Sequence, residues 1–249
     1  MDQARAAETT DALFRSIAWL AGHVADGWSK HTGDAFVAVS GMPVPTLNGV
    51  WAPAGAPTAD VGIELDAVAN AGLPYCLEFP VGDRSLAAFA EARGMSRDDD
   101  VPLMRLDGGP TRDLTPGLAI RRLELDEVSL HAEIAAAGFG VPVEIVDAFV
   151  APDIASQPEI SYYVGEVDGV PVVTGMGLLV GGALGVWDIG TPPEHRGHGY
   201  GTAITAHVAR EGFAAGADWC WLQSSPAGQP VYAGLGFDVV ANWECWVAD

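Results

Sequence analysis

The residues of this chain best suited to chemistry lie close together in Thr191-Pro-Pro-Glu-His-Arg-Gly-His-Gly-Tyr-Gly-Thr202. Gly197, Gly199 and Gly201 carry no Cβ, so the backbone can take left-handed φ values and approach a ligand closely. The first amides of a following helix have no intrahelical acceptor and favour an anion in front of them. Arg196 adds a permanent positive charge with donors that match phosphate oxygens, and His195 and His198 flank it. A diphosphate-bearing cofactor is the ligand this chemistry fits. The spacing differs from the dinucleotide fingerprint, and no Lys-Ser/Thr pair follows as in a nucleotide triphosphatase loop. A strand-to-helix connection without a ligand is the alternative for the turn taken alone.

The elements around the turn have to position it. Gly169–Trp187 is uncharged and about as long as a membrane span, yet its interior reads as strands. Asp168-Gly169 and Gly181-Gly182 are two-residue hairpin turns of the favoured kind. They separate strands at Ile160–Val167, Val170–Val180 and Ala183–Thr191, an antiparallel meander whose last strand feeds the turn. A helix over Thr202–Ala215 is stopped by Gly216. Asp218–Gln223 is apolar on both faces, as a central strand parallel to its predecessor would be. A short helix to about Leu235 and a strand over Phe237–Val247 complete the chain.

This order of elements resembles the GNAT acyltransferase superfamily over roughly Gly117 to Asp249. Arg196, Gly199 and Gly201 fill its R/Q-x-x-G-x-G/A pattern, and Tyr232, Gly236 and Phe237 fill a second pattern on the late helix. Seven residues before the tyrosine the family commonly has Asn; here Ser225 stands there. The resemblance implies acetyl-CoA or CoA as co-substrate, with the diphosphate on Arg196, Gly197, His198, Gly199, Tyr200, Gly201 and Thr202. It implies a bulged strand whose amides near Ile189, Gly190 and Thr191 face the thioester, a source of oxyanion stabilisation. Ser225 would assist binding, and Tyr232 would protonate the leaving thiolate; packing against the last strand is the other reading of that tyrosine. Asp188 is the first candidate base, subject to which face the bulge gives it; Glu244 and Asp249 rank behind it. His207 reads as a packed or surface residue. No metal-ligand spacing is present.

The first half requires its own reading. Turn-rich residues Leu106–Gly117 suggest a linker, giving domains at 1–110 and 118–249 with the linker at 111–117. The pattern upstream predicts a helix over about Asp11–Ala25, strands at Ala35–Val39 and Leu47–Ala52, and a helix over Asp60–Ala71. A strand at Pro74–Val81, a helix at Arg84–Arg93 and a strand at Val101–Leu106 follow. The last five elements repeat the order of the second half, with Ala90 at the position of Tyr232 and Asp83 at that of Ser225. The expected fold is thus α/β: two GNAT-like domains, each a mostly antiparallel sheet with helices and a parallel splayed strand pair. The first is a degenerate copy without the cofactor turn, as in tandem GNAT proteins. Ordinary α/β alternation is the plainer alternative. The loop Gly41–Gly49, stiffened by Pro43 and Pro45, is either a contact to ligand or a plain strand-to-strand connection, and Trp28, His31 and Trp51 either line the same region or pack the domain.

Composition narrows the functional classes. Of 249 residues, 49% are hydrophobic and 18% charged, and the net charge is −21 with Lys30 the only lysine. That balance argues against nucleic-acid and anionic-membrane partners. The N-terminus lacks a basic-then-apolar signal, and Cys76, Cys220 and Cys245 read as buried thiols of a reducing compartment, hence a cytoplasmic expectation. Together these observations point to an N-acyltransferase acting on a small-molecule amine. A non-catalytic CoA-binding or regulatory module is the alternative, and an aminoacyl-tRNA-dependent transferase is disfavoured by the missing basic surface.

Overall fold

The computed structural model describes residues 2–24, 26–41, 43–111 and 117–248. Most of the 111–117 linker, together with Ala25, Met42 and Asp249, lies outside them. The first half contains α1 (Gln3–His23), β1 (Trp28–Thr32), β2 (Ala35–Val39), β3 (Asn48–Trp51), α2 (Thr58–Ala69), β4 (Tyr75–Pro80), α3 (Arg84–Ala92), β5 (Ser96–Arg97) and β6 (Val101–Leu106). The second contains β7 (Ala119–Arg122), α4 (Ser129–Phe139), α5 (Val143–Asp147), α6 (Pro152–Ala155), β8 (Ile160–Val167), β9 (Val170–Val180) and β10 (Ala183–Gly190). It ends with α7 (Tyr200–Ala214), β11 (Trp219–Gln223), α8 (Gln229–Ala233) and β12 (Asp238–Ala248).

The uncharged run forms β9 and most of β10. Asp168 and Gly169 have φ of 51° and 77°, and Gly181 and Gly182 have 58° and 81°, the double left-handed geometry that matches strand twist in tight hairpins. No helix among the described residues is long and apolar enough to cross a membrane. Sequence reasoning placed the start of α1 near Asp11; Asp2 instead caps the helix by accepting from the amides of Ala4 and Arg5. β1 and the helices between Ser129 and Ala155 were not anticipated.

Both halves contribute to one 12-stranded sheet, ordered β1-β2-β3-β4-β12-β6-β11-β10-β9-β8-β7 with β5 beside β12. Among the described residues only β3–β4 and β10–β11 pair in parallel, and each pair brackets a crossover helix, α2 or α7. The final strands are interleaved. β12 inserts between β4 and β6, and β6 inserts between β12 and β11. Each half therefore supplies a ladder of hydrogen bonds that the other lacks. One sheet face is covered by α2, α3, α7 and α8, with Val37, Leu77, Leu86, Leu184, Ile204 and Leu235 in its core. The opposite face is covered by α1 and α4 to α6, over Leu13, Phe36, Trp221, Ile134 and Met176.

α1 crosses the centre of that second face. Its docking is tied to β6 by Arg105, whose side chain is 9% exposed and lies 2.6 Å from Glu8 and 2.5 Å from Asp107. The same guanidinium sits 3.9 Å above the Trp219 ring, a geometry that adds cation–π attraction to the ion pairs. Residues 118–249 produced alone should therefore fail to fold, because β11 loses β6, and β12 loses both flanking strands, leaving long unpaired edges. Co-production with residues 1–110 should restore a soluble complex. A monomeric 118–249 fragment with cooperative thermal unfolding would show that the exchanged strands are dispensable.

Candidate active site

β10 and β11 pair only from Ala183 to Gly185 against Trp219 to Trp221. Beyond that point they part, and a cavity of about 280 Å³ opens between them. The indoles of Trp187 and Trp221, with centroids 5.5 Å apart and planes at 81°, fill the fork above Gly185. A Cβ at Gly185 would fall 2.4 Å from Trp187 Nε1, so only glycine fits beneath the pair. Val186, Asp188, Ile189, Gln223, Ser225, Tyr232 and Phe139 complete the lining.

A bulge gives β10 its local shape. Trp187 pairs with Met176 and Gly190 with Thr174, so Asp188 and Ile189 together oppose Gly175. Asp188 has φ of 49°, a left-handed conformation uncommon for a residue with a side chain. Ordinary alternation would send Asp188 to the α7 face. The bulge turns it to the α4 face, where its Oδ2 lies 3.7 Å from Nε2 of the fully buried His131. His131 Nδ1 lies 2.7 Å from Thr174 Oγ1, and that hydroxyl donates to the Tyr163 carbonyl at 2.8 Å. The strand end is clamped by close helix packing: Cβ atoms at Gly190 and Gly138 would meet Ala135 Cα at 2.7 Å and Thr191 N at 2.8 Å.

The turn after β10 is braced by Arg196. Its Nε donates to the Thr191 carbonyl at 3.2 Å and its Nη2 to the Gly138 carbonyl at 2.7 Å. The guanidinium expected to meet phosphate is thus engaged in joining β10 to the end of α4, and it offers a ligand its charge and the loop shape it holds. Gly197 and Gly199 have φ of 80° and 79°, where a Cβ is strained. α7 begins at Tyr200, two residues before the sequence expectation, and no side chain caps it. The amides of Tyr200, Gly201 and Thr202 therefore lack intrahelical acceptors. A Cβ at Gly201 would meet nothing closer than Thr191 Oγ1 at 3.6 Å, so the space over this helix start is open. The residues fit an anionic phosphate group. His198 stacks on Tyr200 with centroids 5.3 Å apart, and His207 packs edge-on against Tyr163.

Tyr232 and Ser225 reach the cavity from the other arm. Ser225 Oγ accepts from the Gly228 amide at 3.1 Å and so fixes the start of α8, which carries Tyr232 one turn later. Burial pushes the Tyr232 phenol up to about 12, so it stays protonated and able to donate at neutral pH. Glu244 is engaged elsewhere: it accepts from the Gly82 amide and Trp246 Nε1 and lies 3.5 Å from Arg97.

The acetyltransferase (GNAT) family model matches residues 130–237, which span this bulge, turn and tyrosine. This region is a GNAT acetyltransferase domain. Its fold recurs in solved structures. A GCN5-related N-acetyltransferase from Kribbella flavida is 20% identical, with a TM-score of 0.69 and 94% of each chain covered. One from Sphaerobacter thermophilus is 16% identical, with a TM-score of 0.63, covering 86% of this chain and 76% of that one. A tandem GNAT protein of the clavulanic acid biosynthesis pathway is 15% identical, with a TM-score of 0.55, covering 89% of this chain and 82% of that one. No curated protein matches the sequence.

Two buried polar residues near the GNAT cleft went unnoticed in the sequence. His131 interrupts the apolar stripe of α4 formed by Val128, Ala132 and Ala135. Glu78 interrupts the apolar strand β4; it is 2% exposed and its Oε2 accepts from Trp51 Nε1 at 3.0 Å and Gln223 Nε2 at 3.2 Å. It lines a second cavity of about 370 Å³ that shares Gln223 and Ser225 with the first and carries Asp98, Asp99, Asp100 and Thr46. Both interruptions were legible as polar residues on an otherwise apolar face.

Burial raises the Glu78 carboxyl from 4.5 to about 7, against the opposing pull of the Gln223 and Trp51 hydrogen bonds. The folded state thus holds this proton more tightly than the unfolded chain. The stability it contributes is complete below the unfolded value and is lost as pH rises from about 4.5 to about 7. Glu78→Gln should flatten that slope, melting with the wild type near pH 5 and above it at pH 8. An unchanged difference between the two across this range would show that Glu78 ionises without cost.

Proposed function

We propose that this protein transfers an acetyl or other short acyl group from acyl-CoA to an amine of a small molecule. The observation that carries this reading is the single cavity at the parting of β10 and β11, where Asp188, the bulge, Ser225 and Tyr232 converge beside the amide-rich turn. The diphosphate would rest on Arg196 to Thr202, and the pantetheine would lie along Ile189, Gly190 and Thr191 in place of the missing β11 ladder. An amide at the bulge would hold the carbonyl oxygen as it becomes an oxyanion. The amine nitrogen forms the C–N bond, the C–S bond breaks, and the Tyr232 phenol gives its proton to the thiolate.

The acceptor would approach through the neighbouring acidic cavity, whose Asp98 to Asp100 rim attracts an ammonium ion. The first half would serve as its wall. Thr46 and Ser40, at the ends of the proline-stiffened loop, line cavities beside Gln223. We read this half as a silent copy of the same fold. At the position of the cofactor turn it has Pro53 and Pro57, and Asp83 Oδ2 accepts from the Gly55 amide at 2.7 Å. A carboxylate of the chain itself thus takes an amide that a phosphate would need. The charge of −21 opposes nucleic-acid or anionic-membrane partners, and three buried unpaired cysteines favour a cytoplasmic location.

Calorimetric titration with acetyl-CoA tests the cofactor. Gly201→Glu meets nothing closer at its Cβ than Thr191 Oγ1 at 3.6 Å and puts a carboxylate at a helix N-terminus, so thermal stability should be kept. Affinity should fall by roughly tenfold or more, since every 1.4 kcal/mol is one decade. Unchanged affinity would remove the diphosphate from this turn. Tyr232→Phe should lower turnover about 100-fold, the usual weight of a general acid, while acetyl-CoA affinity holds. Equal losses in both would assign Tyr232 to packing.

A further inference from the structure

His131 and Asp188 form a pair for which the hydrogen-bond arithmetic leaves one proton to place. Thr174 has a single hydroxyl proton, and it goes to the Tyr163 carbonyl. Facing His131 Nδ1 at 2.7 Å, Thr174 Oγ1 can only accept, so Nδ1 carries a hydrogen. A neutral ring then presents the bare Nε2 lone pair to Asp188 Oδ2, and among the described residues neither buried atom has another hydrogen-bond partner. Two lone pairs facing each other in a buried pocket repel, whereas one proton between them satisfies both. The bulge and the left-handed φ of Asp188 hold its carboxylate in this position. The Asp188 side chain keeps 19% of its surface open and lines the reaction cavity, so the pair spans the distance from the cavity to the sealed interior. Asp188 on β10 and Tyr162 on β8, whose ring is 5.0 Å away, are the titratable groups that face His131 among the described residues.

We propose that His131 is the positioning residue for Asp188 and the store for the proton that the acceptor amine loses. The inference rests on the acyltransferase reading above. The ammonium N–H bond breaks toward the Asp188 carboxylate, its electron pair stays on nitrogen as the attacking lone pair, and a hydrogen comes to rest on His131 Nε2. The buried pair becomes imidazolium and carboxylate, a neutral sum. After the C–N bond forms, nitrogen releases a second proton, which restores the Tyr232 phenol spent on the thiolate. The stored proton leaves to solvent once the product amide has gone.

The first test needs no substrate. Histidine-selective nitrogen-15 spectra of the full chain between pH 5 and 9, assigned with His131→Asn, should show Nδ1 protonated throughout. At a fixed pH the Nε2 resonance should move in Asp188→Asn relative to the wild type, because the facing carboxylate is its partner. A bare Nδ1, or an Nε2 resonance that Asp188→Asn leaves in place, overturns the pairing. The second test uses His131→Gln, which can still donate to Asp188 but cannot store a proton, with acetyl-CoA titration confirming an intact cofactor site. With 1,5-diaminopentane, cationic at neutral pH, turnover should fall about 100-fold. With 2,2,2-trifluoroethylamine, which arrives mostly neutral, the loss should stay below about tenfold. Equal losses with both amines, or none, overturn the proton store. Absence of wild-type transfer to either amine counts against the acyltransferase reading itself, and the spectra still decide the His131–Asp188 assignment.

Discussion

β10 keeps its parallel partner for the length of Ala183 to Gly185 and then leaves it, and the rest of the site is arranged around that departure. Continued pairing would bury the backbone donors and acceptors of both strands in a ladder. Parting leaves them unpaired, and buried or half-buried backbone groups need partners, so the opening is suited to an amide-bearing ligand. The opening is fixed at both ends by contacts that permit no Cβ. Two indoles sit over Gly185 at the fork, and α4 lies directly on the backbone of Gly190 at the tip. Between these fixed points the strand has an extra residue to absorb, and the bulge at Asp188 absorbs it.

The arrangement of the sheet explains why a chain of this length has no clean division. β6 and β12 pair with each other and each also pairs into the opposite half, so the two halves share their central hydrogen bonds. The arm of the wedge that carries Gln223 is held in place by β6, a strand of the first half, and Gln223 in turn reaches Glu78 on β4. A first half that is silent, as proposed, would therefore shape the cleft through the shared sheet. Its own turn is closed by Asp83, and its only lysine, Lys30, is spent on Glu64 at 2.6 Å.

Much of this was legible because the responsible signals are local. Hairpin turns declare themselves through Asp168-Gly169 and Gly181-Gly182, and the strand-to-helix turn before α7 through Gly197 and Gly199. β2 reads at its observed bounds because a continuous apolar run sits between turn residues, and β6 does so with Arg105 alone interrupting its run. What was illegible depends on pairing across long sequence separations. Nothing in Val101–Leu106 says that it will lie between β11 and β12. The face of Asp188 depends on a one-residue bulge, and the burial of His131 depends on α4 meeting β9. The helices from Ser129 to Ala155 were missed for a different reason: α5 and α6 are short, and their ends are set by Pro142 and Pro152 at their starts. The role of Arg196 was half visible. Its charge could be read, but its commitment to the Gly138 carbonyl could not, because Gly138 lies 58 positions away.

An acidic protein with an anionic co-substrate presents an electrostatic difficulty, and the structure separates its two parts. Net charge acts at long range and is screened by salt within a Debye length of about 10 Å, so a charge of −21 biases encounter more than it biases the bound complex. On the proposed reading the bound anion would instead meet oriented backbone amides at the start of α7, dipoles fixed by the glycines at 197 and 199 and by the brace of Arg196. These act at contact distance, where screening is weak and reorganisation costs little. Carboxylates collect at the other cavity, around Asp98 to Asp100 and Glu78, where a cation would arrive. The long-range field would thus assist the proposed amine and oppose the cofactor, while the short-range dipoles would reverse the balance for the cofactor alone. Arg196 need not be the phosphate ligand for this to hold. Engaged with two carbonyls, it keeps the amides aimed, and a neutral residue of similar reach would lose the charge while retaining part of that geometry.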